Sequence, residues 1–177
     1  MKLNLTIILM TLSTVIALGQ TTKEVDNELF VTFPTTPEYQ ANTEATSYVA
    51  KSANCLFMSL VLRNQIPNYD QYVMAKRKWT QSEIKKVEDS FLDNAAQGKL
   101  DYTGSKGIIK EIQIGKFSGR EIKYSAVNPA SGERGKRFLT LLLVRDKIIF
   151  FECWYLKDNT TSKNQKEFFF NSIKTDK

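Results

Sequence analysis

The sequence predicts one α+β domain, an antiparallel β-sheet of about six to seven strands with helices packed on its faces. Two observations lead to this fold class. Short runs of aliphatic, β-branched and aromatic residues recur along the chain and are separated by turn residues. Two other segments carry apolar residues at helical spacing behind a capping pattern. We expect a single domain over residues 28–174, a chain length sufficient for one hydrophobic core.

The first 19 residues have the three-part pattern of a secretory signal peptide. Lys2 precedes an apolar run over residues 5–18, and Ala17-Leu18-Gly19 supplies the small residues of a cleavage site. The run is too short to span a bilayer comfortably, although a retained anchor helix is the alternative. We therefore expect a secreted or periplasmic protein that begins at Gln20. The residue directly after the predicted cleavage site is Gln20 and not cysteine, so a lipoprotein is not expected.

Strand patterns begin soon after this segment. Residues 20–27 are predicted to be a polar lead-in, and residues 29–33 alternate as a strand that stops at Pro34. The apolar runs 44–51 and 55–63 flank Ser52-Ala53-Asn54 and predict a hairpin. The following residues, 64–79, contain Pro67 and Asn68 and predict a loop with a short helical turn.

A helix is predicted over residues 80–97. Thr80 and Glu83 have the spacing of a capping box, and Gly98 is placed to end the helix. The apolar residues that follow the cap at helical spacing are Ile84, Val87, Phe91 and Ala95.

Four strands follow, at residues 107–114, 120–127, 136–144 and 148–156. The last two are apolar on both faces, which is typical of central strands that are covered on both sides. A sheet of this kind needs elements packed against it.

The chain closes with a second predicted helix that begins near Lys163. Ser162 and Gln165 have capping-box spacing, and Phe168, Phe169, Phe170 and Ile173 fall on one half of the helix. The three phenylalanines are therefore predicted to pack on the sheet, with Phe169 at the centre. The alternative is a helix that lies on a membrane surface with its lysines toward water.

The composition excludes several classes of active site. There is no histidine, which removes Ser-His-Asp and Cys-His nucleophile systems and His-based zinc sites. No glycine-rich phosphate loop occurs, and Ser82-x-x-Lys85 lacks the motifs that accompany such a pair in β-lactamases. We predict no enzyme activity, no catalytic residue, no metal ligand and no cofactor.

Two features remain as candidate sites. Cys55 and Cys153 could form a disulfide in an exported chain, or remain small buried thiols. The segment Lys76-Arg77-Lys78-Trp79 could contact an anionic lipid, a glycan or an acidic protein, or it could be a solvated loop whose Trp79 packs on the helix start. The formal net charge of +6 is too modest to indicate a nucleic-acid partner.

The order of these segments resembles the PsbP-like superfamily. The stretches that carry the resemblance are FVTFP, QGKL, IQIGKFSGREIKY and KEFFFNSI, and the most specific are Gly119-Arg120-Glu121 and 169–173. The superfamily includes the photosystem subunit PsbP, a Ran-binding nuclear import factor and DcrB-like exported bacterial proteins. The resemblance implies a sheet with helices on its faces and a non-catalytic role. The histidine metal contacts of PsbP have no counterpart in this sequence.

The function predicted from these points is that of an exported, non-catalytic binding or assembly accessory protein. Its expected partner is another envelope protein. The alternatives are a protein that associates with an anionic surface through the basic loop and, less favoured, an enzyme with an unrecognised site.

Overall fold

The computed structural model describes residues 19–128 and 131–175, and residues 1–18 of the predicted signal peptide lie outside this range. The strands are β1 Thr21–Asp26, β2 Leu29–Phe33, β3 Glu38–Ala41, β4 Ala45–Lys51, β5 Cys55–Leu62, β6 Gly107–Ile114, β7 Phe117–Val127, β8 Arg134–Val144, β9 Lys147–Tyr155 and β10 Lys174–Thr175. The helices are α1 Tyr69–Lys76, α2 Gln81–Tyr102 and α3 Thr160–Asn171.

The main sheet has seven antiparallel strands in the order β3-β4-β5-β9-β8-β7-β6. Helices pack on both faces of this sheet, so the predicted α+β fold class is confirmed. All neighbouring strands are joined by hairpin turns except β5 and β9, which are brought together from distant parts of the chain. The predicted central strands, β8 and β9, are buried along most of their length on both faces.

The side chains of the sheet divide between two hydrophobic clusters. Helix α2 packs on the face that carries, among others, Ile122, Leu139, Leu141, Ile148 and Phe150. Helix α3 and strand β2 pack on the opposite face, which carries, among others, Phe57, Leu142, Ile149, Phe151 and Cys153. The alternation along each strand follows from the two-residue period of the extended backbone.

The predicted polar lead-in is instead a strand. Strand β1 pairs with β2, and the short strand β10 pairs with the other edge of β2, which makes a separate three-stranded sheet. Val25 of β1 is buried in the core although its neighbours are polar or charged. One buried residue in a polar segment is too weak a pattern to predict a strand from sequence.

Helix α2 begins as predicted and ends later. Thr80 and Glu83 form the capping box. The helix continues through Gly98 because Leu100 is buried against the sheet, and tertiary packing outweighs the cost of one glycine. It ends at Tyr102, and Gly104, just beyond the C-cap Thr103, has a positive φ of 57°. The Gly104 and Ser105 amides donate to the Asp101 and Leu100 carbonyls, as in a Schellman motif.

Two further boundaries differ from the sequence analysis. Within the predicted loop, residues 69–76 form the two-turn helix α1, which is longer than the single helical turn expected there. Helix α3 begins at Thr160 with Asn159 as its N-cap, and the Asn159 side chain accepts a hydrogen bond from the Ser162 amide. Ser162 therefore lies inside the helix, where it is fully buried. Asparagine caps helices as readily as serine, so sequence spacing alone could not choose between them.

Candidate functional site

Helix α3 is fixed to the sheet by Phe169. This side chain has 0% exposure, and its ring lies 5.3 Å from that of Phe33 and 5.2 Å from that of Phe57, measured between centroids. Phe168 and Phe170 are only half-buried. The predicted placement of the three phenylalanines is therefore confirmed, and the polar side of α3 remains available for other contacts.

A groove lies beside α3, because the helix covers only part of its face of the sheet. Helix α3 contacts β2, β5 and β9, and the space between the helix and strands β6–β8 has a volume of about 350 Å³. The apolar residues that line it are Ile112, Ile114, Phe138, Leu139 and Phe170. The polar residues are Gln113, Glu121, Thr140, Lys166, Glu167 and Asn171. We call this space the α3 groove.

The α3 groove combines an apolar floor with polar groups that a ligand could use. The Lys166 ammonium lies 4.8 Å above the centroid of the Phe138 ring, and Glu121 is paired with Lys123 at 3.3 Å. Thr140 is 5% exposed, and its hydroxyl has no hydrogen-bond partner among the residues that the structure describes. An apolar pocket with a few convergent polar groups is typical of a binding site.

A second concavity contains part of the predicted basic segment. Lys76 and Arg77 line a cleft of about 410 Å³ together with Lys116 and Arg145. Its aromatic residues are Tyr69, Tyr72 and Phe117. We call this space the basic cleft.

The basic cleft assembles residues that are distant in sequence. Lys116 lies in the turn between β6 and β7, and Arg145 lies in the turn between β8 and β9. Because β7 and β8 are antiparallel neighbours, these two turns meet at one end of the sheet. The sequence analysis missed both residues. The only available signal was a basic residue in each of two tight turns.

The cations of the basic cleft differ in how far they are neutralised. Lys76 pairs with Glu88 at 2.6 Å, and Lys116 pairs with Glu28 at 2.6 Å. The hydrogen bond and charge of Lys116 lower the pKa of Glu28. Arg77 forms no ion pair with any residue in the described ranges, so it is the cation most available to an anionic ligand.

The rest of the predicted basic segment lies elsewhere. Lys78 is exposed and does not line the cleft, whereas Trp79 is half-buried. The Trp79 ring lies 6.0 Å from the ring of Tyr72, so it packs on α1. The four predicted residues thus divide between the cleft, the solvent and a packing contact.

A buried glutamate lies on the α2 face of the sheet, and the sequence analysis missed it. Glu152 of β9 has 0% exposure, accepts a hydrogen bond from the Tyr124 hydroxyl and pairs with Lys99 at 2.9 Å. Burial, followed by the charge of Glu152, raises the pKa of Tyr124. Both carboxylate oxygens are occupied, so the group acts as an internal ion pair. The signal was a single acid within the apolar run IIFFECWYL.

Arg120 makes a second ionic contact between α2 and the sheet. Its guanidinium donates to Asp89 at 2.8 Å and to Asp93 at 2.6 Å, and its side chain is almost fully buried. The preceding residue, Gly119, has no room for a Cβ, because the atom would overlap the Leu141 carbonyl oxygen. The Gly119-Arg120 pair in the resemblance therefore has a packing explanation.

Cys55 and Cys153, the candidate disulfide partners, are both free thiols in this structure. They lie diagonally on β5 and β9, where Cys55 is opposite Tyr155 and Phe57 is opposite Cys153. Both are fully buried beneath α3, and the Cys55 thiol lies 3.8 Å from the Ser162 carbonyl oxygen. A hydrogen bond with Cys55, together with burial, raises the pKa of the Cys153 thiol.

The described residues hold neither a metal-binding cluster nor a membrane-spanning helix. No group of three or more His, Cys, Asp or Glu side chains within residues 19–128 and 131–175 is arranged to hold a metal ion. None of the helices in these ranges is long and apolar enough to cross a bilayer.

Comparisons with known proteins gave little. No protein-family model matches the chain, and no curated protein matches it. Among solved structures, the chain is similar to PA94 from Pseudomonas aeruginosa, which is described as a protein of unknown function. The two chains are 11% identical with a TM-score of 0.39, over 84% of this chain and 89% of the other. A similarity of this size supports no conclusion about function.

Proposed function

We propose that this chain is an exported, non-catalytic binding or assembly accessory protein of the PsbP-like type, and that the α3 groove is its binding site. The observation that carries the proposal is a groove of about 350 Å³ with apolar lining residues and several polar side chains, Thr140 among them, that face the same space. An apolar concavity with a few convergent polar groups is the usual form of a ligand-binding site.

A binding role suits the chemistry of the side chains better than a catalytic one. General acid–base work needs a titratable group within reach of a bound substrate. The chain has no histidine, and the two acids that line the α3 groove, Glu121 and Glu167, are paired with Lys123 and Lys166. The fully buried Glu152 is engaged by Lys99 and Tyr124 away from the groove.

Site-specific photocrosslinking in the native host tests the groove. Asn171 lines the groove and is exposed, so replacing it with p-benzoylphenylalanine should capture an envelope protein. Asn94 is an exposed asparagine on α2 and gives the matched control. The same adducts from both positions, or none from Asn171, would contradict the proposed site.

The proposal of export has its own measurement. Intact mass spectrometry of the protein from the native host should give a chain that begins at Gln20. A chain that retains residues 1–19 in its native location would contradict export by cleavage.

The convergence of four cations in the basic cleft favours a second candidate function, association with an anionic surface. Vesicles with anionic headgroups should then bind the protein in a salt-sensitive manner, and neutral vesicles should not. Changing Lys116 and Arg145 to Ser should weaken binding as much as changing Lys76 and Arg77. If changing Lys76 and Arg77 weakens binding and changing Lys116 and Arg145 does not, the basic cleft is not the contact surface. Changing Lys76, Arg77 and Lys78 to Ser should cost under about 1 kcal/mol of stability.

A further inference from the structure

The two edges of the main sheet differ in length and composition. Strand β3 forms one edge with four residues, all of them exposed. Strand β6 forms the other edge with eight residues, and within residues 19–128 and 131–175 it pairs with β7 alone. The outer side of an edge strand presents unpaired backbone N–H and C=O groups. Strand β6 therefore offers a template for an additional strand that is twice as long as β3.

The side chains of β6 are unusual for a protected edge. Ile108, Ile112 and Ile114 point to the α3 face, and Ile109 points to the α2 face. Ile108 is 64% exposed. Natural edges are commonly blunted by short length, proline or charge, and β6 has only the central Lys110-Glu111 pair as charged residues.

The α3 groove lies directly beside this edge. Ile112 and Ile114 of β6 both line the groove. Because alternate residues of a strand point to the same face, a strand added to β6 would place every second side chain on the groove side of the sheet. Backbone pairing at the edge and side-chain burial beside the groove would then act together, as in other peptide-binding sheets.

The charges on β6 discriminate between two kinds of partner. Lys110 forms no ion pair with any residue that the structure describes, whereas Glu111 is paired with Lys85 at 3.1 Å. A second copy of this chain, added by a two-fold axis normal to the sheet, pairs residues of equal parity. The two centred registers place Lys110 opposite its own copy or Glu111 opposite its own copy. Like charges directly opposite each other destabilise a sheet.

We propose that β6 binds an extended segment of a partner protein, which pairs with the free backbone groups of β6 and adds an eighth strand to the main sheet. The segment carries apolar residues beside Ile108 and Ile112 and an acidic residue beside Lys110. This inference rests on the proposed function and names the chemistry of the partner at that site.

A synthetic octapeptide tests the pairing directly. The sequence Val-Thr-Val-Arg-Glu-Val-Val-Thr, with blocked ends and a fluorophore, places Val opposite Ile112 and Glu opposite Lys110 in the antiparallel register. Fluorescence anisotropy should show saturable binding. A peptide of the same sequence with alternate backbone amides N-methylated should not bind, because it cannot complete the ladder.

Charge exchange tests the register. Lys110→Glu should weaken binding about 5- to 10-fold, since an attractive cross-strand pair becomes a repulsive one. A peptide with Lys in place of its Glu should recover that loss in the Lys110→Glu protein. Lys51→Glu makes the same charge change at the far side of the sheet and should leave binding unchanged. All these sites are exposed, so the variants should fold.

Several results would overturn the inference. Equal binding of the N-methylated peptide would show that the edge is not used. Absence of octapeptide binding, with the Asn171 crosslink retained, would overturn strand addition and leave the proposed function standing. Octapeptide binding without an Asn171 crosslink would support strand addition at β6 and contradict the α3 groove as the binding site. A concentration-dependent dimer that the octapeptide dissociates would place a second copy at β6 instead of a partner protein.

Discussion

Helices α2 and α3 cover opposite faces of the same sheet, and they are attached by different interactions. Helix α3 has 12 residues and buries one large ring, Phe169, among other aromatic rings. Helix α2 has 22 residues and buries only Leu92, Ala96 and Leu100. It adds two largely buried ionic contacts to the sheet, through Arg120 and through Glu152, and an exposed one from Lys85 to Glu111.

The comparison shows how attachment affects the surface that remains. A single aromatic anchor holds α3 over β5 and β9 and leaves the groove over β6–β8 open. The longer α2 lies over β7 and β8, and its acidic side chains turn inward to meet Arg120. A short helix that is held by one buried aromatic ring can therefore leave an open groove beside it.

The largest expected effect is at the α3 anchor. Phe169→Ala should lower the free energy of unfolding by about 3–5 kcal/mol, because it removes a buried ring and leaves a cavity. Phe168→Ala and Phe170→Ala should each cost about 1–2 kcal/mol, since those rings are half-buried and their surroundings can relax. Denaturant unfolding of the three variants measures this. Equal losses of unfolding free energy in the three variants would show that Phe169 contributes no more to the attachment of α3 than its two neighbours.

The next effect separates the two largely buried ionic contacts of α2, those of Glu152 and Arg120. Lys99→Met leaves Glu152 without its ion-pair partner at 0% exposure, and should cost about 3 kcal/mol. Arg120→Met leaves Asp93, which is 58% exposed, and Asp89, which keeps its Lys85 partner. That change should cost about 1–2 kcal/mol, because the acids left behind can be solvated or paired.

The same unfolding experiment measures both methionine variants. A larger loss for Arg120→Met than for Lys99→Met would show that burial of the cation, rather than burial of the acid left unpaired, controls the cost. Glu152→Gln is the useful control, because an amide oxygen can still accept the Tyr124 hydrogen bond.

A smaller effect is expected in acid. Burial acts to raise the pKa of Asp89, but hydrogen bonds from Lys85 and Arg120 outweigh it and lower that pKa below the ordinary value of 3.8. The stabilisation is therefore present above 3.8 and is lost as pH falls through the lower folded-state pKa. Asp89→Asn should flatten the decline in stability below pH 3.8 by about 1 kcal/mol or less. If the stability of Asp89→Asn declined below pH 3.8 as steeply as that of the native protein, a lowered pKa of Asp89 would not be the cause of the decline.

The smallest effect is expected beneath α3. Since Cys55 and Cys153 are free, reductant should change the melting temperature of the purified protein by less than about 2 °C. Thermal unfolding with and without reductant, alongside a Cys55→Ala control, measures this. A fall in melting temperature with reductant in the native chain alone would reveal a disulfide under the helix.

Local pattern was sufficient for several elements of this protein. The hairpin at 52–54, the Thr80–Glu83 capping box and the central position of Phe169 all depend on residues a few positions apart. Their geometry is set by backbone periodicity and by short-range hydrogen bonds, which a sequence displays directly. The fold class follows from the same periodicities summed along the chain.

Tertiary structure alone decided the rest. The pairing of β5 with β9, the burial of Glu152, and the meeting of Lys116 and Arg145 with Arg77 join residues that are far apart in sequence. Helix α2 passes Gly98 because Leu100 finds a place in the core. Periodicity shows which face of an element is apolar, but it does not show which element covers that face. Non-local contacts choose the partner, and with it the groove, the cleft and the open edge.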